Sequence, residues 1–414
     1  MDATQNDKLS RVGPGTPMGE LMRRYWQPVC ASGEITERQP SKAIRVLGED
    51  LVLYRSPGGS LGLIGPRCAH RNMSMLYAIP ESNGIRCAYH GWLYDATGQC
   101  IEQPSEPRSK EYSKRIRLPG YPVQELGGLV FAYLGPSPAP LLPRWDVLAW
   151  ENVTRKVTFS VLPCNWLQCM ENSMDPVHFQ WLHRYYGTWE MERQDPSRKM
   201  DRWNAITGNR GKEHLKIGFE LTSYGVIKRR LLEGDTEAND HWRIGHPILF
   251  PNVLRVGAPD THGLHYRVPI DDEHTLHIMC DLRLPDYGTS AEPQDVVPFE
   301  AIPVFDETGR VLGNDVVPQD QVAWIGQGTI SDRSTEHLGA TDAGIVWYRR
   351  LLDQQMDLVK GGGEPMNVHR DPAKNECIVL PQEFARYPGD PKGQSGGPFK
   401  DYVPGKPDLE ISLV

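Results

Sequence analysis

The chain has 414 residues, 39% of them apolar and 24% charged, with a net charge of −8. That length exceeds what one compact core serves and implies two domains. The acidic balance gives a nucleic-acid or anionic-membrane partner no electrostatic support, and no stretch approaches the ~18 apolar residues of a membrane span. The opening MDATQNDKLSR lacks the apolar centre of a signal peptide. A cytoplasmic protein is expected, with Cys30, Cys100, Cys164, Cys169, Cys280 and Cys377 as scattered reduced thiols.

In chain order, residues 17–26 (PMGELMRRYW) read as a short amphipathic helix entered through Pro14-Gly15-Thr16 and closed before Pro28. From about Ala43 the pattern changes to short alternating runs. Residues 44–47 and 51–54 flank Gly48-Glu49-Asp50 as a hairpin, and 61–64 follow the turn Pro57-Gly58-Gly59. Many short strands punctuated by Gly and Pro predict a small antiparallel β domain over 27–145, after an N-terminal helical segment 1–26. The Pro-rich stretch 136–145 marks its end. Beyond it, 157–162 and several runs within 215–285 read as strands, while 169–183 and 339–360 have helical spacing. Residues 146–414 are therefore expected to form an α+β catalytic domain, a curved antiparallel sheet with flanking helices and an irregular tail after Gly361-Gly362-Gly363.

Two motifs carry chemistry. Cys68-Ala69-His70 and Cys87-Ala88-Tyr89-His90 are Cys-x-His and Cys-x2-His, sixteen residues apart. A Rieske [2Fe–2S] centre needs two thiolates on one iron and two imidazoles on the other, and each half supplies one of each. Gly91-Trp92 suits a cluster cover. Structural zinc accepts the same donors, but zinc ribbons usually pair cysteines on one knuckle as Cys-x2-Cys. The second motif is Asp175, His178 and His183 in NSMDPVHFQWLH. On a regular helix, residues three apart differ by about 60° and residues five apart by about 140°. The two histidines converge on one ion only if the helix is distorted or ends between them. Two imidazoles and a carboxylate form the facial triad of non-haem Fe(II), with positions left open for oxygen and substrate. Alone, the same residues also fit one polar helix face.

Together the two motifs resemble the large subunit of Rieske non-haem iron oxygenases. GPGTPMGELMRRYW, CAYHGWLYD and QGTISDRSTEHLGATDAGI resemble its phthalate-dioxygenase branch, and the stretch CAYHGWLYDATGQCIEQPSEP resembles the dehydrodivanillate O-demethylase kind. The resemblance implies Cys68, His70, Cys87 and His90 as cluster ligands and His178 and His183 as iron ligands. It places the third iron ligand in an aspartate before a late helix: Asp342, in ATDAGIVWYRR, with Asp332 as the competitor. It makes Asp175 a bridge between an iron-ligand histidine and a cluster histidine of the adjacent subunit, hence a homo-oligomer, a trimer. Respiratory Rieske proteins carry an extra cysteine in each cluster loop; here Tyr89 and the neighbourhood of Met73 stand at those places, which favours an oxygenase.

The implied function is a terminal oxygenase using O2 and electrons from a separate NAD(P)H-dependent reductase, with or without a ferredoxin. Gly13-Pro14-Gly15 does not follow a strand and Gly208 to Gly211 lacks the dinucleotide spacing, so the chain itself has no nucleotide fingerprint. The implied substrate is an aromatic acid, with O-demethylation of a methoxylated, lignin-derived acid favoured over cis-dihydroxylation or ring hydroxylation. A Rieske ferredoxin and a zinc-stabilised binding module are the rival classes. His262/His265 and His274/His277 are spaced three apart on strands and should diverge. Lys228, Arg229, Arg230 and Arg243 fit a solvated sheet face, and one of them could instead grip a substrate carboxylate in bidentate fashion.

Overall fold

A computed structural model describes residues 1–197, 212–258, 261–286, 289–313, 315–383 and 405–413. The Gly208 to Gly211 stretch and much of the Pro/Gly-rich tail lie outside the described residues.

Two short helices, Ala3–Ser10 and Pro17–Met22, stand where one was expected. The second starts as read: Thr16 caps it, accepting from the Gly19 N–H at 3.1 Å, and Pro17 occupies the first turn. Three small antiparallel sheets follow. Trp26–Ala31, Leu129–Tyr133 and Val123–Leu126 form the first; Ser41–Val46, Glu49–Arg55, Leu61–Ile64 and Gly120–Tyr121 the second. Ile79–Glu81, Gly84–Arg86, Leu93–Tyr94 and Cys100–Glu102 form the third. The expected hairpin pairs Ile44 with Leu51 and Val46 with Glu49, so its turn is Leu47-Gly48 rather than Gly48 to Asp50. Both turn residues have positive φ, 51° and 76°, which a two-residue hairpin turn of this hand requires. Their N–H groups donate to Pro269 and Ile270 carbonyls of the large sheet, holding the unusual Leu47 conformation in place.

Among the described residues the large sheet has nine strands. In spatial order they are Phe299–Ala301, Thr154–Leu162, Thr275–Arg283, Thr261–Pro269, Val253–Ala258, His246–Leu249, Gly225–Leu232, His214–Thr222 and Leu409–Ser412. All neighbours are antiparallel except the first pair, which is parallel. The fold is thus α+β, as expected. Helices Trp166–Met174, Val316–Gly326 and Ala343–Lys360 flank the sheet. One hydrophobic core runs through the 26–31 and 129–133 strands, the large sheet and the 343–360 helix, taking in Phe131, Tyr266, Trp166 and Leu352.

A buried ionic knot ties the site-bearing helix to the rest. Glu171 receives Arg333 (2.8 and 2.9 Å) and Arg349 (2.6 Å); Arg333 also reaches Asn6 (2.9 Å), and Arg349 also reaches Glu336 (2.7 Å). Burial alone would raise the Glu171 carboxyl, but the two guanidiniums outweigh it and hold it below its ordinary range.

Candidate metal centres

The two cysteine loops share one backbone design. In each, the cysteine N–H donates to the carbonyl five residues on, Met73 (2.9 Å) for Cys68 and Trp92 (2.8 Å) for Cys87. In each, the N–H four residues on donates back to the cysteine carbonyl: Asn72 (2.9 Å) and Gly91 (3.0 Å). Those two residues turn the loop at φ 56° and 73°, a region that Asn and Gly tolerate best. Cys68 and Cys87 are buried, while His70 and His90 face outward with ring centroids 4.5 Å apart. Trp92 stacks on His70 at 4.7 Å and 9° between planes. Tyr94 brings its hydroxyl within 3.2 Å of Cys68 Sγ and accepts the Ala69 N–H at 3.1 Å. Two inward thiols and two outward imidazoles match the donor sets of the two irons of a Rieske cluster.

The second centre begins where the 166–174 helix stops. Pro176 pushes the residue before it out of helical geometry, and Asp175 is extended at φ −83°, ψ 118°. A short turn His178–Gln180 then runs into a π-helical stretch, Trp181–Tyr186. The continuous helix expected over 169–183 is therefore broken twice, which supplies the distortion that a five-residue histidine spacing demands. The imidazole centroids of His178 and His183 lie 5.2 Å apart.

Their third partner is Asp320, from the Val316–Gly326 helix. Asp320 Oδ1 is 3.6 Å from His178 Nε2 and 3.2 Å from His183 Nε2. Among the described residues, this is the one group of three such donors within 4.8 Å of one another. Asp320 Oδ1 is buried and, among the described residues, has no hydrogen-bond partner. A bare carboxylate oxygen facing two ring nitrogens is costly unless a cation joins them, so the residues fit a mononuclear metal. Burial raises the Asp320 carboxyl, but His183, His178 and Arg267 outweigh it and hold it low.

Asp342 does not complete this set, contrary to expectation. Its carboxylate accepts the Gly339 N–H at 2.7 Å and closes the turn leading into the 343–360 helix. Asp332 is likewise turned onto its own loop, accepting from Ser334 N and Oγ at 3.0 and 2.6 Å. Asp320 is the lone charged residue of VVPQDQVAWIG; an acid isolated in an apolar helix was the signal for it.

His183 has a hydrogen-bonded neighbour and His178 a nearby carboxylate. Asp175 Oδ2 lies 3.6 Å from His178 Nδ1, and its Oδ1 accepts the Val177 N–H at 2.7 Å. Burial raises Asp175; His178, the Val177 N–H and Lys228 outweigh it and hold it low. Gln319 Oε1 is 3.0 Å from His183 Nδ1. A Cβ on Gly187 would lie 2.6 Å from Gln319 Nε2, so glycine there makes room for this contact. Such partners fix ring orientation and tune ligand basicity.

The other candidates separate as expected or find structural work. His262 is held by Arg255 at 2.8 Å, whereas His265 points to the opposite face and meets His277 edge-on at 5.5 Å. His274 pairs with Asp271, Arg229 with Glu220 and Arg243 with Asp240.

Residues 25–122 match the Rieske [2Fe-2S] domain family. The chain is 44% identical over 387 residues to a 5,5'-dehydrodivanillate O-demethylase oxygenase subunit of Sphingobium sp. (strain NBRC 103272 / SYK-6), covering 92% of this chain and 86% of that one. It is 30% identical over 377 residues to a phthalate 4,5-dioxygenase oxygenase subunit of Pseudomonas putida, covering 84% of each. The fold resembles that of Pseudomonas putida CBB5 NdmA, with a TM-score of 0.60 at 19% identity over 84% of this chain and 94% of that one. The chain belongs to the Rieske non-haem iron oxygenases, as a terminal oxygenase subunit. It is an enzyme component whose cofactors are a Rieske cluster and a mononuclear iron, served by a separate electron-delivering partner. No helix among the described residues is long and apolar enough to cross a membrane.

Proposed function

We propose that this subunit oxygenates an aromatic carboxylic acid, and that its preferred reaction is O-demethylation of a methoxylated, lignin-derived acid. Ring cis-dihydroxylation of a phthalate- or benzoate-like acid is the second reading, favoured by the likeness to the phthalate 4,5-dioxygenase subunit. The observation that carries the first is a two-histidine, one-carboxylate site in a chain 44% identical to a dehydrodivanillate O-demethylase oxygenase subunit.

In this reading Cys68, His70, Cys87 and His90 hold the cluster, and His178, His183 and Asp320 hold the iron. When bound, the cluster supplies electrons and the iron activates O2 at its open positions. The chain's own residues orient and shield. Gln319 fixes the His183 ring, and Asp175 places a carboxylate beside His178 Nδ1. Asp175 also serves as the bridge to a cluster histidine of an adjacent subunit in a trimer. Two features support this: His70 and His90 are exposed, and large side chains lie open in the same segments, Tyr89 against His90 and the pair Trp181 and Tyr185 in the π-helical stretch that carries His183. A division at 1–26, 27–145 and 146–414 and a cytoplasmic location complete the reading; eight unpaired cysteines suit a reducing compartment.

The test is a screen of methoxybenzoates with a generic reductase, reading formaldehyde against O2 consumed. One formaldehyde per O2 supports demethylation; a ring diol without formaldehyde supports the second reading; turnover of neutral aromatics alone refutes the acid.

A further inference from the structure

The Gly225–Leu232 strand sends alternate side chains to opposite faces. Arg229 leaves on one face to meet Glu220. Lys228 and Arg230 leave on the other, towards the iron histidines. Lys228 Nζ donates to the carbonyls of Ser173 (2.7 Å) and Asp175 (3.2 Å), just ahead of His178. The Arg230 guanidinium lies 5.0 Å from the centre of the Phe179 ring, which is itself 5.4 Å from the His183 ring. Both cations thus stand one side-chain layer from the triad.

What surrounds them is incomplete. Buried cations elsewhere have carboxylates: Arg255 has Asp146, and Arg333 and Arg349 have Glu171. Lys228 has only backbone carbonyls among the described residues. Arg155 and Arg267 also lack a carboxylate among the described residues; Arg155 is held by the Val147 and Trp150 carbonyls, and Arg267 is fully enclosed, stacked over Trp324 at 5.3 Å and bonded to the His265 carbonyl. Arg230 reaches Glu383 at 3.3 Å through Nη2, while its Nη1 has no protein partner among the described residues. The nearby carboxylates each already answer another group: Asp175 lies against His178, Asp320 faces the two iron histidines, and Glu383 holds His241. An uncompensated charge in a partly buried site is costly. By strand register His246 sits opposite Lys228, and Ile248, Leu254 and Val256 continue that face with apolar surface.

We propose that Lys228 and Arg230 form the subsite for the substrate's carboxylate, holding the acid end of the ring while its apolar body lies along the sheet face. The inference rests on the aromatic-acid reading above and assigns its recognition to two residues. Glu383 keeps Arg230 in place rather than competing for it, because its other oxygen is held by His241 at 2.8 Å.

The experiment is calorimetric binding to the metal-loaded oligomer of the methoxybenzoate that wild type turns over best, beside its neutral methyl ester. Wild type binds the acid at least ~10-fold tighter than the ester, as a charge-assisted contact requires. Lys228→Gln, which keeps a donor for the two carbonyls, and Arg230→Gln each lose ~10-fold or more for the acid and leave the ester unchanged. Lys228→Arg restores the preference. If wild type turns over acids and both Gln variants keep full acid affinity, the subsite is refuted while the aromatic-acid reading stands. If wild type turns over only neutral aromatics, both fall.

Discussion

The two metal centres are built by opposite strategies. The proposed cluster site is two copies of one loop, 68–73 and 87–92, each closed by its own backbone hydrogen bonds and carrying two of the four proposed ligands. The iron site has no such unit. His178 and His183 come from a broken helix, Asp320 from a helix some 140 residues later, and the intervening sheet provides the wall. A self-contained loop sets its ligands by local dihedrals. An assembled site depends on every element that fixes one segment against another, here including the Glu171 knot reaching back to Asn6.

That contrast can be broken most sharply at Asp320. Asp320→Ala should remove the mononuclear iron, so that iron content falls from about three per chain to about two, with the visible cluster spectrum unchanged and turnover abolished. Asp342→Ala should keep all the iron. Loss of iron in the second variant alone would restore the rejected ligand. Asp175→Asn should keep both metals bound while turnover falls by ~100-fold, since a tuning partner is lost and no ligand is. Full activity there would leave Asp175 with a purely local part.

A third variant probes the frame. Glu171→Gln leaves Arg333 and Arg349 without their buried counter-charge and should cost ~3–5 kcal/mol in chemical denaturation. Because the folded-state carboxyl is held below its unfolded value, its contribution is present above the unfolded carboxylate range. It is lost as pH falls through the folded value. Wild type should therefore lose the knot's stabilisation on acidification, and the variant should show a shallower acid slope. The smallest effect belongs to the cluster loop. Gly91→Ala forces a Cβ into φ 73° and to 3.1 Å from Pro104 Cγ, costing ~1–2 kcal/mol. It should lower cluster retention on heating and leave the mononuclear iron in place; equal loss of both metals would contradict the separation.

The same contrast decides what could be read from the chain. Cys68, His70, Cys87 and His90 lie within 23 residues, so spacing alone carried the chemistry. His178 and His183 were legible too, and the need for a distorted helix between them is met by the π-helical turn. Asp320 was not, because no spacing links position 320 to 183. Asp342 drew attention by standing ahead of the longest helix, where an acid's usual task is to close the turn, and that is what it does. Gln319 was missed for the same reason as Asp320. The large sheet was legible as strands, but not its order, nor which face of the 225–232 strand looks towards the iron histidines.

The bridge proposed through Asp175 would make the cluster of one chain serve the iron of the next. Cys68→Ser chains, lacking the cluster, and Asp320→Ala chains, lacking the iron, should each be inactive alone. Unfolded together at equal amounts and reassembled with both metals, they should recover about one quarter of wild-type turnover, the share of ring contacts in which an intact cluster meets an intact iron. A mixed oligomer as inactive as its parents would contradict the account.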